Sequence, residues 1–135
     1  MRPIGRRKQL NIVNAKRDGK IVVEPKPNEL QIDIDSARAL HHYARQYMLL
    51  KHGGITEGWK EKMSVSFGGR GHVHITITLP YNIKNLERVC LQSILGSDPK
   101  REAFNYCRVK KRNKYPIVFF ERGKGNVKSK RNGNG

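Results

Sequence analysis

Asp33 and Asp35 stand two residues apart in Gln31-Ile32-Asp33-Ile34-Asp35-Ser36, a stretch that is apolar and acidic by turns. In a strand, successive side chains point to opposite faces, so Ile32 and Ile34 would share one face and the two carboxylates the other. Carboxylates held side by side repel, and each raises the other's pKa unless a cation lies between them. A pair so placed could hold Mg²⁺ or Mn²⁺, ions that orient nucleotide phosphates and stabilise an in-line displacement. The plainer alternative is two surface acids at a strand end, one of them helping to cap a helix.

A second group of residues lies in Ser66-Phe67-Gly68-Gly69-Arg70-Gly71-His72-Val73-His74. Glycines such as Gly69 and Gly71 let backbone N–H groups come close to a phosphate, and Arg70 adds charge there. His72 and His74 would share a strand face, where either could donate to a phosphate. A plain hairpin with a flexible glycine turn accounts for the same residues. Glu121 closes the apolar run Pro116–Phe120 and could be a further metal carboxylate, or a strand-end acid paired with Arg122. A rival constellation uses His72-Val73-His74 as a His-hydrophobic-His triplet together with Tyr106 and Lys110. There the histidines hold one divalent metal, Tyr106 attacks a scissile phosphate, and Lys110 assists, as in rolling-circle replication nickases.

The composition favours a polyanion as partner. Lys and Arg number 28 against 11 Asp and Glu in 135 residues, a formal net charge of +17. Such an excess points to nucleic acid first and a membrane surface second. A non-catalytic nucleic-acid binder would carry the same charge. No apolar run approaches the roughly 18 residues of a spanning helix, and no signal-peptide core is visible near the N-terminus. Cys90 and Cys107 lack metal-site spacing and read as reduced core thiols, in keeping with a cytoplasmic setting.

The elements that must position these residues follow in order. Residues 1–8 read as a basic flexible arm, 9–121 as a single domain, and 122–135 as a disordered basic tail. Gln9–Val13 and Lys20–Glu24 form short β-rich runs around an Asp18-Gly19 turn signal, predicting a hairpin. Glu29–Asp35 is a strand. Ser36 is a good N-cap for a helix to about Lys51, stopped by Gly53-Gly54. Lys62–Phe67 and His72–Leu79 alternate as two strands of a hairpin, and a loop carrying Trp59 precedes them. Ile83, Leu86, Val89, Cys90 and Ile94 mark a helix ending at Gly96. Asp98-Pro99 opens another, to about Cys107, with Asp as cap and Pro at the first position. Pro116–Glu121 is a last buried strand. The order predicts an α+β fold, helices packed on one face of a mainly antiparallel sheet.

The Asp-x-Asp strand, the Ser/Gly-rich hairpin ending in histidine and the later strand ending in an acid occur in the order seen in the archaeo-eukaryotic primase, or primase-polymerase, superfamily, and the stretch from about 29 to 122 resembles its catalytic core. The resemblance implies an RRM-like core and a two-metal nucleotidyltransferase acting in DNA replication or repair. It implies Asp33, Asp35 and Glu121 as catalytic metal ligands for Mg²⁺ or Mn²⁺, Glu121 standing where the family usually has Asp. It implies Ser66, Gly69, Arg70, Gly71, His72 and His74 as binders of an NTP or dNTP. The implied partners are a single-stranded template and a replication protein, in a viral or plasmid setting.

Overall fold

The computed structural model describes residues 20–65 and 72–122. The elements are β1 (Lys20–Val23), β2 (Glu29–Ile34), α1 (Ala37–His52), β3 (Lys60–Val65), β4 (Val73–Thr78), α2 (Asn85–Ile94), α3 (Pro99–Lys110) and β5 (Phe119–Arg122). The predicted strand over 9–13, and with it the hairpin around Gly19, lies outside the described residues.

The fold is α+β. Its main sheet has three antiparallel strands in the order β2–β4–β3, so β2 and β3 run parallel to each other on either side of β4. The connection β2–α1–β3 therefore crosses over β4, and β3 returns to β4 as a hairpin. Leu30, Ile32 and Ile34 alternate along β2, Ile75 and Ile77 along β4, and all five are fully buried. They form one core with Tyr43 of α1, Trp59 and Leu95, against which Leu40, Tyr47, Leu50 and Leu91 also pack. Burial of each such aliphatic side chain stabilises the fold by about 1.5–3 kcal/mol. The helices α1 and α2 thus cover the apolar face, as the alternation predicts.

Both predicted caps are present. Ser36 Oγ accepts from the Ala39 N–H at 3.1 Å, and Asp98 Oδ1 accepts from the Lys100 N–H at 3.2 Å. Three boundaries differ from the sequence reading: β3 starts at Lys60 rather than Lys62, α2 at Asn85, and α3 runs on to Lys110. Among the described residues, no helix is long and apolar enough to cross a membrane.

The other side of β2 explains the rest of the chain. Because β4 takes one side of the strand, the backbone groups of Glu29, Gln31 and Asp33 point away from the sheet. An edge of this kind needs partners when it is buried. The helices supply them. Gln92 Oε1 accepts from the Gln31 N–H at 2.7 Å, Arg101 donates to the Gln31 carbonyl at 2.8 Å, and Arg88 donates to the Glu29 carbonyl at 2.7 Å. Ser97 Oγ accepts from the Asp33 N–H at 3.0 Å, and the Asp98 N–H donates to the Asp33 carbonyl at 2.8 Å. Glu102 ties these groups together, accepting from Gln92, Ser97, Arg101 and Asn105.

The predicted last strand does not join this sheet. β5 pairs antiparallel with β1 as a separate two-stranded ribbon. The β2 edge is closed to it, because side chains of α2 and α3 already occupy that edge.

Gln92→Leu, which keeps the volume but removes the acceptor for the Gln31 N–H, should cost about 1–3 kcal/mol in urea unfolding. The exposed neighbour Ser93→Ala should stay within about 0.5 kcal/mol of the parent. Equal costs for the two would mean that the β2 edge does not depend on Gln92.

Candidate functional site

The face of the sheet opposite the core carries the polar alternates. Cross-strand register sets three rows: Asp33–His74–Ser64, Gln31–Thr76–Lys62 and Glu29–Thr78–Lys60. The first row brings two of the predicted site residues together. His74 Nε2 lies 3.5 Å from Asp33 Oδ1. The imidazole is only 6% exposed because the Phe119 ring lies parallel over it, with centroids 3.8 Å apart and 4° between the planes. The Arg101 guanidinium sits 4.9 Å from the centroid of the same Phe119 ring.

This environment sets the charges. Burial lowers the His74 pKa to about 4, and the nearby Arg101 and His72 push it the same way. His74 is therefore neutral at pH 7, and its contact with Asp33 is not an ion pair there despite the short distance. Burial also raises the Asp33 pKa; Arg101 opposes that rise most, Asp98 adds to it, His72 opposes it, and Asp35 adds to it. Three carboxylates thus crowd one end of β2. Asp35 itself lies just beyond the end of β2 and is exposed.

Carboxylates are the ligands a hard divalent cation takes, and Mg²⁺ can be held by one or two of them with substrate phosphates completing its shell. Asp33 and Asp35 are the residues that would hold it. Among the described residues, no group of three His, Cys, Asp or Glu side chains is arranged around a common point. The third predicted acid does not complete the set in the main sheet, because Glu121 is paired with Ile21 in the β1–β5 ribbon. Its side chain lies outside the described residues, as do Ser66, Gly69, Arg70 and Gly71.

The rival nucleophile is elsewhere. Tyr106, half exposed, lines a groove of about 670 Å³ whose walls include Ala39 and His42 of α1 and Val89 and Ser93 of α2. His72 and His74 are not among its walls. Lys110 is the exposed last residue of α3.

Asp98, Arg101 and Phe119 complete the surroundings of Asp33 and His74 but were not predicted there. Asp98 is recognisable in sequence only as a cap. Arg101, Asn105 and Arg108 recur at helical spacing, which marks a polar helix face without saying that the face is buried.

Comparison with protein-family models, with curated proteins and with solved structures finds no match to this chain.

A buried neutral histidine makes stability depend on pH. Its folded pKa lies below its unfolded value, so its contribution is fully present above about 6.5 and is lost as pH falls toward about 4. The loss from His74 should reach up to about 3 kcal/mol. Asp33, with its pKa raised, works in the opposite sense: the penalty on its charged form is relieved as pH falls, which trims the net loss. Urea unfolding across that window should show a flatter pH dependence for His74→Phe than for the parent. Superimposable pH profiles would rule out His74 as a buried neutral group.

Proposed function

We propose that this chain is a small nucleic-acid-binding nucleotidyltransferase of the primase-polymerase type, acting in DNA replication or repair. The observation that carries this reading is the register that sets Asp33 opposite His74 on adjacent strands, in the first row of an otherwise polar sheet face. The strand order β2–β4–β3 with a helical crossover supports it, since a split β-α-β arrangement is what an RRM-like core requires. The net charge of +17 suits a template strand.

In this reading Asp33 and Asp35 hold Mg²⁺ or Mn²⁺, which when bound neutralises charge on the phosphates of an NTP or dNTP. His74 remains neutral and braces the Asp33 carboxylate from the next strand. His72, just before β4 and partly exposed, would donate to a phosphate. Ser66, Gly69, Arg70 and Gly71 would cradle the phosphates through backbone N–H groups and the guanidinium, and Glu121 would serve as the third acid. Arg101 limits the cost of keeping Asp33 charged.

A second reading, a non-catalytic nucleic-acid binder, is favoured by the Phe119 ring that covers His74. One assay separates the two. With Mn²⁺, labelled nucleotides and a single-stranded template, the parent should incorporate label. Asp33→Asn and Asp35→Asn should each lose at least the roughly 10–100-fold that follows loss of a metal-site partner. Tyr106→Phe should match the parent. No incorporation by the parent, with template binding intact, leaves the binder. A covalent protein–DNA adduct that disappears in Tyr106→Phe would replace both readings with the nickase.

A further inference from the structure

The three helices end in the same backbone closure, and the third fills its left-handed position with a residue other than glycine. After α1, the Gly54 N–H donates to the Lys51 carbonyl and the Ile55 N–H to the Leu50 carbonyl. After α2, the Gly96 N–H donates to Ser93 and the Ser97 N–H to Gln92. After α3, the Arg112 N–H donates to Val109 and the Asn113 N–H to Arg108. Each is a Schellman-type closure whose first residue past the cap must be left-handed. Gly54 and Gly96 fill that place with φ of 77° and 84°. Arg112 fills it with φ of 57°, the one non-glycine residue with positive φ among those described. A side chain with a Cβ is disfavoured there, so the arginine occupies this place at some cost in stability.

The surroundings say what that side chain is for. Lys110, Lys111, Arg112 and Lys114 are all exposed. No Asp or Glu occurs between Glu102 and Glu121, and none of the four is in an ion pair among the described residues. Cations complement a helix C-terminus, but Lys110 and Lys111 meet that need without a left-handed arginine. We propose that this turn grips the phosphate backbone of a nucleic acid, at a surface separate from the Asp33–His74 face. The inference shares with the proposed function only a polyanionic partner and does not depend on catalysis.

The test is binding of the full chain to a labelled single strand and to its duplex across a salt series, without metal or nucleotide. Each lost backbone contact should reduce the slope of log K against log salt by about 0.7 for the single strand or about 0.9 for the duplex. Arg112→Gly should lose one such step and keep the parent's thermal midpoint or exceed it. Lys110→Gln/Lys111→Gln should lose about two steps, while Arg45→Gln/Lys51→Gln on α1, with the same charge change, should lose less than one. Equal losses in the two double variants would reduce the effect to net charge and overturn the proposal. So would unchanged slopes, or a loss confined to anionic phosphatidylserine vesicles. The salt series contains no metal or nucleotide and the incorporation assay scores label, so failure of the catalytic reading and failure of this one give different results.

Discussion

The outward edge of β2 is the constraint on which the rest of the structure depends. Its N–H and C=O groups at positions 29, 31 and 33 face away from β4, and a buried edge cannot leave them unpaired. The chain meets that demand with side chains rather than with another strand. Gln92, Ser97 and Arg101 reach the edge from α2, the α2–α3 junction and α3, while the Asp98 N–H caps the carbonyl of Asp33. This choice fixes where α2 and α3 sit. It also closes the β2 edge to β5, which pairs with β1 instead.

Meeting the demand this way buries charge. Arg101 and Glu102 lie 2.6 Å apart with side chains 11% and 3% exposed. A buried pair rarely adds net stability, because desolvation offsets the attraction, yet removing one partner leaves an uncompensated charge. Here every Glu102 oxygen has two donors, and Arg101 also donates to carbonyls of β2 and Val118. The arrangement therefore specifies one docking of α3 against β2. It links fold to site as well, since the same guanidinium lies against Phe119 and is the main counter-charge to Asp33.

The parts of the fold set by local rules could be read from the sequence. Alternation in 29–34 and 73–78 gives two strands and their inner faces, Ser36 and Asp98 announce helices, and Gly54 and Gly96 end them. Pairing of Asp33 with His74 was foreseeable once both strands were placed. The partner of β5 was not, because an apolar run such as Ile117–Phe120 reads the same in any sheet. Gln92, Ser97, Glu102 and Asn105 were also opaque. Polar residues on a helix ordinarily mean a solvated face, and here they are buried because a strand edge, invisible in sequence, lies against them. Phe119 covers His74 for a related reason: β5, excluded from the sheet edge, belongs to a ribbon that brings this ring over the polar face.

The acid cluster has to be weighed against the charge of the whole chain. Asp33, Asp35 and Asp98 gather near one end of β2, and the strongest nearby cation, Arg101, is already paired with Glu102. To a phosphate backbone that end of the sheet is repulsive at short range, within a Debye length of about 8 Å at physiological salt. A polyanion drawn in by +17 must then either meet a bridging cation at Asp33 and Asp35 or lie away from them. The α3 turn offers the second place, a stretch of cations free of acids. On the two proposals the surfaces would have complementary roles: the α3 turn would hold a nucleic acid without help, and the acidic end of β2 would admit phosphate only with a metal ion bound to reverse its sign.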